Sequence, residues 1–460
     1  MKSLMAAIFA LVLLVGGVAA QNAKTEWSAG IARVVITPDR PVWMAGYASR
    51  TKPSEGASHD LHAKALALRD ARGNRVVIVT TDILGIPREM GEAIAEGVQR
   101  RYKLPRAGLV LTSSHTHTGP VPHRNLEGAY FLDEQQAAEV VRATNRMTEQ
   151  IIAVVGEALQ KLSPAVLSFG RGEAHFAINR RVNRDGRFVF GANRDGVRDD
   201  EVPLLRVSAP DGSLRAVLLS YACHNTTLTD TFYQFNGDYA GYAQIEIEKA
   251  NPGATAMFMM GCGADINPEP RGKPEMAVQH GAALAASVAR ILAGPLAPVR
   301  GGLKTAYARI PLSLRPLTRE QFQAQLQDRD KYRRAHAQRW LARLDRDGRT
   351  MTDYPYPLQV LQLGRDLTFV GMAGEVVVDY ALRLKRELGA DSLWIAAYCN
   401  DVMAYIPSVR ILQEGGYEAD FSMLYYDLPG PWQPDVEERI VRAVHDLARR
   451  VGHRPAGTKR

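Results

Sequence analysis

Short apolar, β-branched runs bounded by Gly, Pro or Asp alternate along this chain with longer stretches of helical periodicity. That alternation limits the fold most, because strands interleaved with helices bury their apolar faces by stacking in layers. The pattern predicts strands at 64–69, 75–82, 108–114, 165–170, 203–208, 214–221, 255–260, 303–311, 358–363, 366–371 and 393–398. It predicts helices at roughly 86–101, 134–161, 238–250, 274–293, 318–344, 375–388 and 433–452. The expected fold class is α/β, with mixed β-sheets flanked by helices. Segment 318–344 opens on Thr318-Arg319-Glu320 and is rich in Gln, Arg and Asp, the pattern of a capped surface helix. The stretch from Gly294-Pro295 to Gly301-Gly302 is the best candidate for a loop between two lobes, and no repeat of the solenoid or propeller kind is present.

Lys2 precedes 17 uncharged residues, Leu4 to Ala20, that end in Val18-Ala19-Ala20. This reads as a cleaved signal peptide over 1–20, leaving 21–460 as one domain exported to the periplasm or medium. Gln21 stands where a lipid-modified protein has Cys. Three cysteines, Cys223, Cys262 and Cys399, are too few for a disulfide scaffold, so the core must supply the stability. The net charge of +8 comes from 57 scattered basic residues against 49 acidic ones. No basic stripe interleaves with aromatics, so nucleic-acid binding is excluded as a reading, and mild attraction to an anionic membrane surface is retained.

Polar residues interrupt the apolar pattern mainly at the ends of predicted strands, where α/β scaffolds place their chemistry. Leu109-Val110-Leu111 runs into Ser114-His115-Thr116-His117-Thr118-Gly119-Pro120, and in extended chain His115 and His117 face the same side. A second strand ends in Cys223-His224-Asn225, a third delivers Glu375 after Ala373-Gly374, and a fourth leads to Tyr398-Cys399-Asn400-Asp401. Two histidines and a carboxylate with an open position match the ligand count of a catalytic zinc site, while each residue also has a structural reading: a hydrogen-bonded histidine, or an acid at a helix start. If Asp60, Asp82 and His123 joined the histidines, the reading becomes a two-metal phosphoesterase-like site.

In order, the residues resemble the N-terminal catalytic domain of the neutral, non-lysosomal ceramidases, zinc amidohydrolases that cleave the N-acyl bond of ceramide. The resemblance rests on Ala29-Gly30-Ile31-Ala32, Ile36-Thr37-Pro38, Met44-Ala45-Gly46-Tyr47 and His59-Asp60-Leu61-His62. It continues through Ser114 to Pro120, Ile178-Asn179-Arg180, the His224 strand end with Gly237-Asp238-Tyr239, Ala373-Gly374-Glu375, Asn400 to Tyr405, and Tyr417-Glu418. It implies one Zn2+ per chain held by His115, His224, Glu375 and Tyr405. It further implies that His117 stabilises the developing oxyanion, and that Arg180 and Tyr417 contact a small-molecule or lipid N-acyl amide. Tyr405 enters as a ligand through the resemblance alone, since a phenol of reference pKa about 10 needs a metal's charge to ligate well. Two features depart from the family: Asn267 stands where a Ser precedes Pro, and Arg181-Val182 replaces the Ser-Pro after Arg180. The resemblance stops at the helix 433–452, so a relative without the family's C-terminal β-sandwich domain is expected. The implied function is an exported zinc-dependent amidase with a ceramide-like lipid as the nearest substrate; the alternative is a non-catalytic lipid- or glycan-binding relative.

Overall fold

The computed structural model describes residues 26–365 and 367–454, so the leader expected at 1–20 lies outside the described residues. The first half of the chain gives β1 (Trp27–Val35), β2 (His62–Asp70), β3 (Arg75–Thr81), α1 (Arg88–Tyr102), β4 (Leu109–Ser113) and α2 (Glu134–Gln160). There follow β5 (Ser163–Glu173), a hairpin of β6 (Ala177–Arg184) and β7 (Arg187–Asn193), β8 (Glu201–Ser208), β9 (Leu214–Tyr221), α3 (Asp238–Ala250), β10 (Thr255–Met260), β11 (Ile266–Pro268) and α4 (Pro274–Ala293). Leaving the hairpin and β11 aside, both passages run strand, strand, strand, helix, strand, helix. Their shared sheet has the order β10-β9-β8-β5-β1-β2-β3-β4, which carries the same pattern from either end. β1 and β5 meet antiparallel at its centre, and the outer pairs β3–β4 and β9–β10 are both parallel.

The second half contributes β12 (Ala297–Pro298), β13 (Leu303–Ser313), α5 (Arg319–Gln325), α6 (Lys331–Asp347), β14 (Asp353–Leu363) and β15 (Leu367–Met372). It ends with β16 (Glu375–Val376), α7 (Val378–Leu388), β17 (Leu393–Ala396), β18 (Tyr405–Ile406), α8 (Val409–Glu414) and α9 (Val436–Val451). A second sheet has the order β13-β14-β15-β17, and β16 pairs with β18 alone. Strand alternation then builds four layers. Val77 and Val79 pack among Ile94 and Val98 of α1 and Ile151 and Val155 of α2, while Val76 and Ile78 face Phe369 and Trp394 of the second sheet. The other face of that sheet, with Leu358 and Val360, packs on Leu384 of α7 and Ile440 and Val444 of α9. The order is helices, sheet, sheet, helices; strands buried on both faces read as unbroken apolar runs.

The segment 294–302 carries the chain from one sheet to the other: β12 adds to β5 before β13 opens the second sheet. One apolar cluster nevertheless draws on both sheets across this connection, including Leu218, Met257, Leu361 and Trp394. The single helix expected at 318–344 is two, α5 and α6, because Asp330 accepts from the Tyr332 N–H and starts a new helix. Thr318 does cap α5, in a capping box with Gln321. The helix expected from 375 starts at Val378, since Glu375–Val376 pairs with β18. Strand β1 escaped the pattern because Gly30 breaks its apolar run; a Cβ there would stand 2.0 Å from the Ala158 carbonyl of α2, so the strand needs glycine to approach that helix.

Candidate metal centre

Four strand ends meet at one buried point. The residue after Ser114 turns sharply: His115 has φ 61, a left-handed conformation uncommon outside glycine, with its N–H on the Ile83 carbonyl. Its Nδ1 lies 2.7 Å from the Leu84 carbonyl, and His224 Nδ1 lies 2.7 Å from the Gly263 carbonyl. An imidazole that donates Nδ1–H to a carbonyl presents a bare Nε2, the form that binds a metal. The Nε2 atoms of His115 and His224 each stand 3.1 Å from Glu375 Oε2. The register Glu375↔Tyr405 in the β16–β18 pair sets the carboxylate beside the phenol. Tyr405 Oη is 3.3 Å from His224 Nε2.

These spacings test whether a metal fits. Ligand bonds of about 2.0–2.1 Å in a tetrahedron separate neighbouring donors by about 3.3 Å, so donor pairs at 3.1–3.3 Å fit a zinc-sized ion. The donor set of two imidazole nitrogens and two oxygens suits zinc as well. His115 and His224 are fully buried, and Glu375 and Tyr405 are each only 3% exposed. Burial, followed by the Arg180 charge, depresses the His224 imidazole to about 4. Burial pushes the Glu375 carboxyl up, but His115 and His224 outweigh it and hold the group well below the usual carboxylate range. Two imidazole Nε2 atoms and a carboxylate oxygen thus face one another at 3.1 Å, an arrangement of donor atoms that favours a cation between them.

His117 Nε2 is 3.1 Å from His115 Nε2, and the donor atoms of His115, His117 and His224 all lie within 4.8 Å of one another. Burial, then the two neighbouring histidines, holds His117 well below its ordinary pKa, so it is neutral. Its ring rests against Gly46, where φ is +96 and a Cβ would come within 2.4 Å of the imidazole. The β6–β7 pairing is bulged between Asn179 and Arg181, and there Arg180 Nη2 donates to Tyr405 Oη at 3.1 Å while Arg181 reaches Glu414 and the Gly415 carbonyl. Both arginines bind Glu418, at 2.9 and 2.5 Å. The Tyr417 ring centroid is 5.2 Å from that of Tyr405. Asn267 Oδ1 lies 3.4 Å from Arg180 Nη1, so the departure from the family pattern borders the site.

The acids of the two-metal reading do not join this cluster. Thr37 donates to Asp60, and Asp82 accepts from the His62 N–H and Gln244. All three cysteines are buried and unpaired. Three further residues at the site went unassigned in the sequence: Glu418, the partner of Arg180; Tyr398, whose ring centroid is 4.4 Å from that of His115; and Tyr426, which donates to Glu375 Oε1. Tyr398 follows the apolar run Leu393–Ala397 and Tyr426 follows Tyr425, neither with a polar pattern of its own that marks it, and only the fold turns them inward.

Fold and site thus define a four-layer α/β protein with a buried histidine, carboxylate and phenol cluster at its strand ends. Residues 27–285 match the family described as neutral/alkaline non-lysosomal ceramidase, N-terminal, and the chain belongs to that family. Neutral ceramidase B of Dictyostelium discoideum is 25% identical over 249 residues, 50% of this chain and 33% of that protein. The neutral ceramidase of Pseudomonas aeruginosa is 23% identical over 285 residues, 58% of this chain and 41% of that protein. The aligned stretch thus covers 33% and 41% of the length of these two curated relatives. The crystal structure of the Pseudomonas aeruginosa enzyme superposes with a TM-score of 0.72 at 18% identity, covering 95% of this chain and 76% of that one, which establishes the shared fold.

Proposed function

We propose that this chain is an exported, zinc-dependent amidohydrolase that cleaves an N-acyl amide, with a ceramide-like lipid as the nearest-family substrate. The observation that carries the reading is the burial of His115, His224, Glu375 and Tyr405 together, with Glu375 Oε2 3.1 Å from both histidine Nε2 atoms and Tyr405 Oη 3.3 Å from that of His224. These four residues would hold one zinc ion, which supplies Lewis acidity: it polarises a carbonyl oxygen and acidifies water. The remaining steps belong to the chain. The neutral His117 donates from Nε2 to the oxyanion that develops as water adds to the carbonyl, and Tyr417 is a second donor. Each well-placed donor contributes about 3–4 kcal/mol to the transition state. Arg180, held by Glu418, keeps a fixed cation beside Tyr405 to orient a polar group of the substrate. Burial of the cluster excludes bulk water and strengthens each of these interactions. The C–N bond then breaks as the two protons given up by the attacking water pass to the departing nitrogen, so that the products are a carboxylate and an ammonium.

The test pairs elemental analysis of the purified mature protein with hydrolysis of a fluorogenic N-acyl sphingosine before and after chelation. About one zinc per chain with chelator-sensitive cleavage supports the reading. One zinc without cleavage removes ceramide as substrate, and a metal-free protein that still hydrolyses the amide refutes the mechanism.

A further inference from the structure

We propose that Tyr426 is a positioning residue for Glu375, fixing that carboxylate so that only Oε2 is offered to the metal; this rests on the metal reading above. Glu375 divides its oxygens: Oε2 faces the two histidine Nε2 atoms, whereas Oε1 accepts a hydrogen bond from Tyr426 Oη. A carboxylate has no proton to give, so the phenol is the donor. The terminal torsion of a glutamate is broad and roughly two-fold; Tyr398 Oη, 3.5 Å away, reaches only Oε2, so without Tyr426 on Oε1 the carboxylate has room to rotate and offer both oxygens. The phenol removes that freedom.

Packing against the apolar core, with 6.4 Å between its ring centroid and that of Tyr405, places the Tyr426 ring, and the hydrogen bond to Oε1 aims its hydroxyl. Tyr426 is half-buried and lines a cavity of about 690 Å3 together with Trp340, Arg343 and Met403. The next residue anchors the same backbone segment: Asp427, in the left-handed region at φ 55, binds Arg339 at 2.9 Å and Arg343 at 2.5 Å, both from α6. The α6 arginines thus hold the backbone segment from which Tyr426 reaches Glu375. Groups that hydrogen-bond a metal-ligating side chain commonly tune metal affinity 10–100-fold.

The experiment measures zinc affinity of the metal-depleted full chain by competition with a chromophoric chelator, alongside the visible spectrum of the cobalt-substituted protein. Tyr426→Phe is expected to weaken zinc binding 10–100-fold and to lower the cobalt extinction, the sign of a carboxylate that has added a second oxygen. Tyr425→Phe, a neighbouring phenol without the Glu375 contact, stays within about threefold of the native protein. Asp427→Asn keeps the phenol but loosens its clamp and falls between the two, so the proposal stands testable if Tyr426→Phe fails to fold. Native-like affinity and spectrum in both Tyr426→Phe and Asp427→Asn overturn the proposal while leaving the metal reading intact. A native chain that binds no zinc overturns the reading itself.

Discussion

Replacing Glu418 with Gln tests the charge balance beneath the site. Side-chain exposures are 7% for Arg180, 4% for Arg181 and 2% for Glu418, so two guanidiniums share one acid with almost no water to screen them. Burial pushes the Glu418 carboxyl up, and Arg180 and Arg181 more than reverse it, leaving the group ionised at neutral pH. At an effective dielectric constant of about 20, a contact near 3 Å is worth roughly 5–6 kcal/mol of attraction before desolvation. Arg181 keeps Glu414 and the Gly415 carbonyl in the variant, but Arg180 keeps no acid within contact. Breaking a buried pair by removing one partner costs about 3–5 kcal/mol, or close to three powers of ten in the folding constant at about 4 kcal/mol. Urea denaturation of the metal-free protein at pH 7 reads this directly. Adding Arg180→Met should recover about 2 kcal/mol of the sum of the single losses, because the charge left unpaired is then gone. A loss under about 1 kcal/mol for Glu418→Gln, or strict additivity in the double variant, refutes the reasoning.

Other perturbations separate the roles of the cluster. His224→Ala should remove zinc and hydrolysis together, and full activity in a metal-free variant argues against any metal chemistry here. Gly46→Ala drives a Cβ into the His117 ring at a backbone φ of +96, so hydrolysis should fall by about 10²-fold with zinc content near native; equal loss of zinc identifies His117 as a ligand instead. The metal-free protein should lose stability as pH falls from about 6.5 to about 4. Above that window His224 is neutral in both states; within it the unfolded imidazole takes a proton that the buried one, at about 4, refuses. The loss from this group is roughly 3 kcal/mol, read as a falling melting temperature, and a flat profile across the window rejects it.

The layers were legible from the chain because sheets buried on both faces demand continuous apolar runs, as at Val76–Val79 and Met257–Met260. Stretches whose strands are held by mutual pairing, such as the polar β6–β7 hairpin, carry no such signal and were found only in the fold. Helix breaks decided by one cap, as at Asp330, were equally hidden. At the site, the strand-end pattern drew attention to His115, His117, His224 and Glu375, since a polar residue ending an apolar run is conspicuous. Tyr405, Tyr417 and Arg180 were named through the order of motifs in a family. Local sequence therefore determined where chemistry-bearing side chains sit along the strands. Which of them meet depended on the tertiary structure: the left-handed turn at His115, the Glu375–Tyr405 register and the Glu418 ion pairs join residues up to some 240 positions apart, as Arg180 and Glu418 are. The physical reason is that donor convergence is set by backbone hydrogen bonds between distant strands, and periodicity along one strand holds no record of its neighbours.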